Sequence, residues 1–157
     1  AFIKFTELLK YTYTTANRDW VTIADEIDYI NNYIDLQLIR FDKHTNVVRT
    51  YSVDNHAAAI PPMIFLTFVE NAFKYGASSS RNCDIIIKLH LNRGMLLFET
   101  QNMIVRHSDE FRKDMPIGID NCRNRLSGLY PDDYSLNIKD EDGLFNVELK
   151  INLNRNE

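Results

Sequence analysis

The run Pro61-Pro62-Met63-Ile64-Phe65-Leu66-Thr67-Phe68-Val69-Glu70-Asn71-Ala72-Phe73-Lys74-Tyr75-Gly76 constrains this chain more tightly than any other stretch. A proline pair opens it, apolar residues fill it and a glycine closes it, which predicts a buried helix. Its middle nevertheless carries Glu70, Asn71 and Lys74. An acid, an amide and a cation are costly to bury in one turn of an apolar helix unless something polar binds there. Asn71 and Lys74 stand three apart and share a face. The pair suits a metal-bound phosphate, since the amide oxygen can ligate Mg2+ and the ammonium can meet a phosphate oxygen. A core helix whose few polar side chains face water accounts for the same spacing, so the residues alone leave both readings open.

Periodicity organises the rest. Apolar residues at helical spacing run through Phe2, Phe5, Leu8, Leu9 and Tyr13, predicting a helix over residues 2 to about 16. Asn17-Arg18-Asp19 interrupts it. Ile23, Ile27, Ile30, Ile34, Leu38 and Phe41 then mark a second helix, with Thr22 and Asp25 placed as a capping box. Residues 47–53, 84–91 and 95–100 read as strands, the last two around an Asn92-Arg93-Gly94 turn. Residues 103 to 116 are polar and aperiodic and read as a loop, followed by a short helix from Ile119 to Leu129. Tyr134–Lys139 and Leu144–Leu153 form a closing hairpin around Asp140-Glu141-Asp142-Gly143. The expected fold is α/β: a two-layer sandwich with a mixed, mostly antiparallel sheet and helices on one face, preceded by a helical segment.

Composition narrows the function classes. At 157 residues and 45% hydrophobic, the chain can bury one good core. A formal charge of -4 without a basic stripe argues against nucleic acid. Cys83 and Cys122 are too few and too isolated for a disulfide framework or a metal knuckle, which points to a reducing compartment. No stretch reads as a signal peptide or reaches membrane-spanning length. The opening Ala1-Phe2-Ile3-Lys4 starts inside a helical pattern without a start methionine or cap, as a piece of a longer protein would.

The run from Pro61 to Gly76 resembles the N box of the histidine-kinase and gyrase-type ATPase superfamily, the Bergerat ATP-binding fold, in the form typical of LytS-type sensor histidine kinases. Two further stretches agree in order. Leu8-Leu9-Lys10-Tyr11, Val21 to Ile30 and Tyr33 to Phe41 resemble the end of that family's phosphoacceptor region. Ile117-Gly118-Ile119-Asp120-Asn121-Cys122-Arg123-Asn124-Arg125-Leu126 resembles its G box, with Tyr130-Pro131 following. The resemblance covers residues 8 to 153. It implies two parts: residues 1–41 from the dimerising phosphoacceptor helices, standing outside the sandwich, and residues 42–157 as the catalytic ATP-binding domain.

The resemblance also implies roles. Asn71 corresponds to the asparagine that ligates the Mg2+ bridging ATP phosphates. Lys74 corresponds to a phosphate-contacting cation, and Tyr75 stands where histidine is common, at the phosphate end. Glu70 can serve as a base or orient Mg2+ through water. Gyrase-type ATPases carry a water-activating glutamate at the position of Thr67, so hydrolysis is disfavoured here. At the adenine end, Gln101 replaces the usual aspartate, Asn102 keeps the second position and Met103 replaces glycine. A glutamine carbonyl accepts a hydrogen bond without charge assistance. Gly118 and Ile119 would bring backbone amides and a helix N-terminus to the phosphates, with Pro116 where a first glycine is usual. Asn121 and Arg125 share a face of that helix, and Arg125 reads equally as structural.

Taken together, the expected function is that of the ATP-binding catalytic domain of a two-component sensor histidine kinase, with ATP and Mg2+ as cofactors. The γ-phosphoryl group would pass to a histidine outside this chain, because His44, His56, His90 and His107 all lack the family's helical acceptor context. A response regulator would receive it next. The N-terminal helices would form a homodimer, and the chain would be the cytoplasmic portion of a membrane-anchored bacterial protein, touching the membrane only through other parts of the parent. The alternative is a degenerate, non-catalytic domain of the same fold serving as a dimerisation or interaction module. Gln101, Met103 and Pro116 favour that alternative, and Asn71, Lys74 and Gly118 oppose it.

Overall fold

The computed structural model describes residues 2–15, 18–41, 43–78, 81–105 and 109–156, with only the backbone described for Thr15 and for residues 109–117 and 155–156. The element order is α1 (Phe2–Thr15), β1 (Val21–Thr22), α2 (Ile23–Phe41), β2 (Thr45–Val53), β3 (Ala59–Ile60), α3 (Leu66–Gly76), β4 (Cys83–Asn92), β5 (Met95–Met103), α4 (Asp109–Leu129), β6 (Tyr134–Glu141) and β7 (Leu144–Asn152), closed by a 3-10 turn at Leu153–Asn156. His107 lies outside the described residues.

Five strands form one sheet in the order β2-β4-β5-β7-β6, parallel between β2 and β4 and antiparallel elsewhere. Both hairpin turns are set by local chemistry. Arg93-Gly94 and Asp142-Gly143 have positive φ throughout, the two-residue turn whose twist suits a hairpin. Strand β4 shows why the architecture has two layers. Cys83, Ile85, Ile87, Leu89 and Leu91 are buried, while Asp84, Lys88, His90 and Asn92 between them are exposed. One face therefore packs on helices and the other meets water. Phe98 on β5 lies at 4.6 Å from Phe65 and 6.3 Å from Phe68, joining the sheet to the helix layer.

The two N-terminal helices do not share one role. Helix α2 is part of the sandwich: Ile23, Ile30, Ile34 and Phe41 belong to the main core, and Tyr33 meets Phe73 of α3 edge-on. Strand β1, just before α2, pairs with β3 through Val21↔Ile60 and Thr22↔Ala59. The Thr22 hydroxyl accepts from the Asp25 amide at 3.1 Å, the N-cap contact that the spacing predicts. This corrects the expectation that α2 stands outside the sandwich, because α2 cannot leave the core without exposing its apolar stripe. Helix α1 is different: Phe2, Ile3, Phe5, Leu9 and Tyr13 are all exposed.

Two other boundaries also differ from expectation. Helix α3 starts at Leu66 rather than at the proline pair, because Pro62 to Phe65 form a turn in which Met63 takes a left-handed φ of 64°. Helix α4 starts at Asp109, ten residues before the expected Ile119, and so includes residues 109–116 of the stretch read as a loop. Glu, Arg, Lys and Met in that stretch are good helix formers that carry no apolar period to reveal them. Its second half packs through Ile119, Cys122 and Leu126, at spacings of three and four.

Candidate functional site

Helix α3 presents Thr67, Asn71 and Lys74 along one stripe, opposite the face that buries Phe68, Val69, Ala72, Phe73 and Gly76. The Asn71 Nδ2 is buried and has no hydrogen-bond partner among the described residues. A buried amide nitrogen without a partner costs about 1–3 kcal/mol, so this N–H group is open to a further hydrogen-bond acceptor. The Lys74 ammonium stands 5.8 Å from the centre of the Tyr75 ring. Glu70 is exposed; desolvation pushes its carboxyl above the ordinary range, with the Lys74 charge opposing. Glu70 and Lys74 also line a cavity of about 300 Å3 against Tyr33, Gln37 and Arg40 of α2.

The C-terminal end of α3 meets β5. Gly76 has an ordinary φ, and its need for glycine is steric: a Cβ there would lie 2.6 Å from the Cβ of Asn102. The Val105 amide donates to the Tyr75 carbonyl at 2.8 Å, tying the exit of β5 to the same helix end. Asn102 is 1% exposed; its Nδ2 donates to the Met103 carbonyl at 3.2 Å, while its Oδ1 has no partner among the described residues. Thr100, two residues earlier on the same face, also has a buried hydroxyl without a partner there. Unpaired polar atoms thus gather where α3 meets β5.

Strand register turns Gln101, the residue expected at the adenine end, away from the helix layer. Leu96, Phe98, Thr100 and Asn102 point to the helix layer, and Gln101 points to the outer face of the sheet. There Gln101 lines an open groove of about 430 Å3 with Lys88, Glu99, Lys139 and Glu148. The amide aimed at α3 is that of Asn102. Counting by two from Leu96 and Phe98 reaches Asn102, so the signal was present in the alternation.

Helix α4 closes the other side. A Cβ on Gly118 would stand 3.3 Å from Thr67 Cγ2, so glycine lets α4 approach the exposed stripe of α3. Gly118 lies well inside α4 rather than at a helix start, which corrects the expectation of a helix N-terminus at Ile119. Ile119 is 8% exposed and belongs to the core, and Asn121 is exposed on the opposite side. Arg125 Nη1 donates to the Pro62 carbonyl at 2.6 Å, holding the turn before α3. The structure therefore gathers Asn71, Lys74, Tyr75, Asn102 and Gly118 around α3, and places Gln101, Ile119, Asn121 and Arg125 elsewhere. Among the described residues, no group of three or more His, Cys, Asp or Glu could hold a metal ion. No described helix is long and apolar enough to cross a membrane.

Comparison with known proteins agrees with this fold. Residues 1–45 match the model of the family described as Histidine kinase. The sensor protein kinase HptS of Staphylococcus aureus (strain USA300) is 31% identical over 90 residues, covering 57% of this chain and 17% of HptS. The chain thus spans about a sixth of that relative. The histidine kinase domain of the blue-light activated kinase EL346 from Erythrobacter litoralis superposes with a TM-score of 0.62 at 13% identity, over 96% of this chain and 78% of that one. The catalytic domain of histidine kinase ThkA gives a TM-score of 0.57 at 11% identity, over 85% and 93%. Full-length ShkA, solved with AMPPNP, gives 0.60 at 10% identity, over 94% and 34%. The fold of this chain is the one found in the catalytic domains of histidine kinases.

Proposed function

We propose that this chain is the ATP-binding catalytic domain of a two-component sensor histidine kinase of the LytS type, joined to the last helix of its phosphoacceptor region. The Asn71 side chain carries the reading: its Nδ2 is buried without a partner among the described residues, and its Oδ1 is the atom that would ligate a metal ion. Asn71 sits on a helix otherwise filled with core side chains, one turn from Lys74, and Asn102 Oδ1 is a second buried polar atom without a partner among the described residues.

Mg2+ fits this donor set. It dehydrates reluctantly and is held by few protein oxygens together with substrate phosphates, so one asparagine oxygen suffices and an acidic cluster is not needed. When bound, the ion would neutralise charge on the phosphates. Asn71 would hold it, Lys74 would meet a phosphate oxygen, and Asn102 Oδ1 would accept from the adenine amino group. Glu70 would orient water in the metal's hydration shell. Thr67 offers no carboxylate to activate water against the phosphate, which favours transfer over hydrolysis.

The three described histidines give no acceptor. His56 and His90 are exposed, and His44 is engaged with the Asn82 side chain at 3.1 Å. The γ-phosphoryl group would go to a histidine outside residues 1–157 and then to an aspartate of a response regulator. Helix α1, with its exposed Phe2, Ile3, Phe5, Leu9 and Tyr13, would form the part of a homodimeric stalk present here, and α2 onward the catalytic domain. The parent would be anchored in a membrane with this part in the cytoplasm. A non-catalytic interaction module is the second reading, favoured by a neutral Asn102 where an acid would bind adenine more strongly.

Titration with labelled ATP separates the two. Binding should depend on Mg2+ and be lost in Asn71→Ala without loss of folding. Equal affinity in parent and variant at matched magnesium would remove the metal-ligand role, and no binding by the parent would remove the ATP-binding reading itself.

A further inference from the structure

Glu26 of α2 is a charged side chain that is only 1% exposed, and it lies apart from the proposed nucleotide contacts. Its surroundings are specific. Oε2 accepts from the Tyr11 hydroxyl of α1 at 3.0 Å, and Oε1 accepts from the Met63 amide in the turn before α3. The Ile64 amide also donates to it, and burial raises its pKa against these bonds and the Arg125 charge. Arg125 grips the Pro62 carbonyl of the same turn. These hydrogen bonds offset part of the desolvation that a buried carboxyl suffers.

The turn it holds is demanding. Met63 has a φ of 64°, a conformation that is strained for a non-glycine residue and survives when its surroundings over-determine it. Phe65 follows as the N-cap of α3 and makes no side-chain capping bond. The start of α3 therefore depends on this turn rather than on a cap. Asn71 sits five residues into the helix, about 7.5 Å from its start at 1.5 Å per residue, and moves with it as a rigid body.

We propose that Glu26 is a positioning residue for the nucleotide site, and that Tyr11 makes that site responsive to how α1 is seated. The inference rests on the nucleotide-site reading above. Helix α1 packs on α2 through contacts that include the Tyr11–Tyr29 stack at 4.5 Å, the Thr12–Tyr29 hydroxyl pair at 3.2 Å and the Lys4–Asp35 ion pair at 2.9 Å. Tyr11 is the contact that continues inward. A shift of α1 withdraws a donor from Glu26, and the carboxylate then rebalances against the Met63 and Ile64 amides. The linkage is reciprocal, so a nucleotide on α3 also biases α1.

Amide hydrogen exchange on the full 157-residue chain tests this without nucleotide. Tyr11→Phe should speed exchange at Met63, Ile64 and the first turn of α3 about fivefold, with the β4–β5 hairpin unchanged. Glu26→Gln should speed the same amides at least as much, and the double variant should exchange no faster than Glu26→Gln alone. Parental rates in Tyr11→Phe, or effects that add in the double variant, would overturn the coupling. If Glu26→Gln does not fold, Tyr11→Phe alone decides.

Magnesium-ATP titration is the second arm. Affinity should fall about fivefold in Tyr11→Phe; unchanged affinity despite faster exchange would overturn the extension to the nucleotide site. A parent that binds no Mg-ATP refutes the function proposed above, while the exchange rates still decide whether α1 and α3 are coupled.

Discussion

Gly76 and Asn102 touch so closely that a single methyl group on the glycine would overlap the asparagine, Cβ to Cβ, at 2.6 Å. The end of α3 and the last turn of β5 thus share one steric lock, and it lies beside the polar atoms proposed to hold the nucleotide.

Gly76→Ala should therefore destabilise the fold by about 1–3 kcal/mol, the usual cost of overpacking a rigid contact. Chemical denaturation gives the number. Its backbone φ is not in the left-handed region, so strain in the glycine itself contributes nothing. A stability unchanged from the parent would mean that β5 yields easily at Asn102.

Asn102→Asp and Gln101→Asp should behave oppositely. An acid at residue 102 points to the helix layer, where charge assistance to the adenine amino group should tighten ATP binding about fivefold. It should not help GTP, which presents an oxygen at that position. The same change buries a carboxyl and should cost about 1 kcal/mol of stability without nucleotide. Gln101→Asp lies on the outer face and should leave ATP affinity unchanged. Calorimetric titration of both variants with both nucleotides checks the register.

Gly118→Ala contrasts with Gly76→Ala. Alanine is favoured over glycine by about 1 kcal/mol inside a helix, and the 3.3 Å approach to Thr67 Cγ2 should absorb about half of that. The expected outcome is a gain of about 0.5 kcal/mol, rising towards the full propensity difference when Thr67→Ser removes the methyl group. Thermal unfolding of the single and double variants measures it. A loss of stability in Gly118→Ala would show that Thr67 cannot move.

Asp35 accepts from Arg49 at 2.7 Å and from Lys4 at 2.9 Å. Burial alone would raise its carboxyl, but these hydrogen bonds and charges outweigh it and hold the pKa below the ordinary value. Its stabilisation is present above the unfolded-state pKa of about 3.9 and is lost as pH falls through the lower folded value. Glu26 runs the other way: burial raises its pKa, so its contribution is lost as pH rises above about 4.3. Asp35→Asn should be less stable than the parent at neutral pH, with the difference shrinking below about pH 4. A difference independent of pH would remove the ion pairs as its cause.

Local patterns in the chain determined most elements, because their causes are local. Alternation placed β4 and β5, Asp142-Gly143 set the last hairpin, and Thr22 with Asp25 marked the start of α2. The polar cluster on α3 was legible because Glu70, Asn71 and Lys74 interrupt an apolar run. Partners were not legible. Periodicity shows that α1 and α2 each have an apolar face, but only packing decided that α2 closes the core while α1 leaves Phe2, Phe5 and Leu9 exposed. The choice between Gln101 and Asn102 depended on which face of the sheet the helices cover. The glycine requirements of Gly76 and Gly118 arise from Asn102 and Thr67, residues distant in the chain that no local rule connects. Glu26 is an acid in the first turn of α2, and only folding carried Tyr11 and the Met63 turn to it. Hydrogen bonds and close contacts between remote segments exist only once the chain has closed on itself, and for that reason tertiary structure alone decided them.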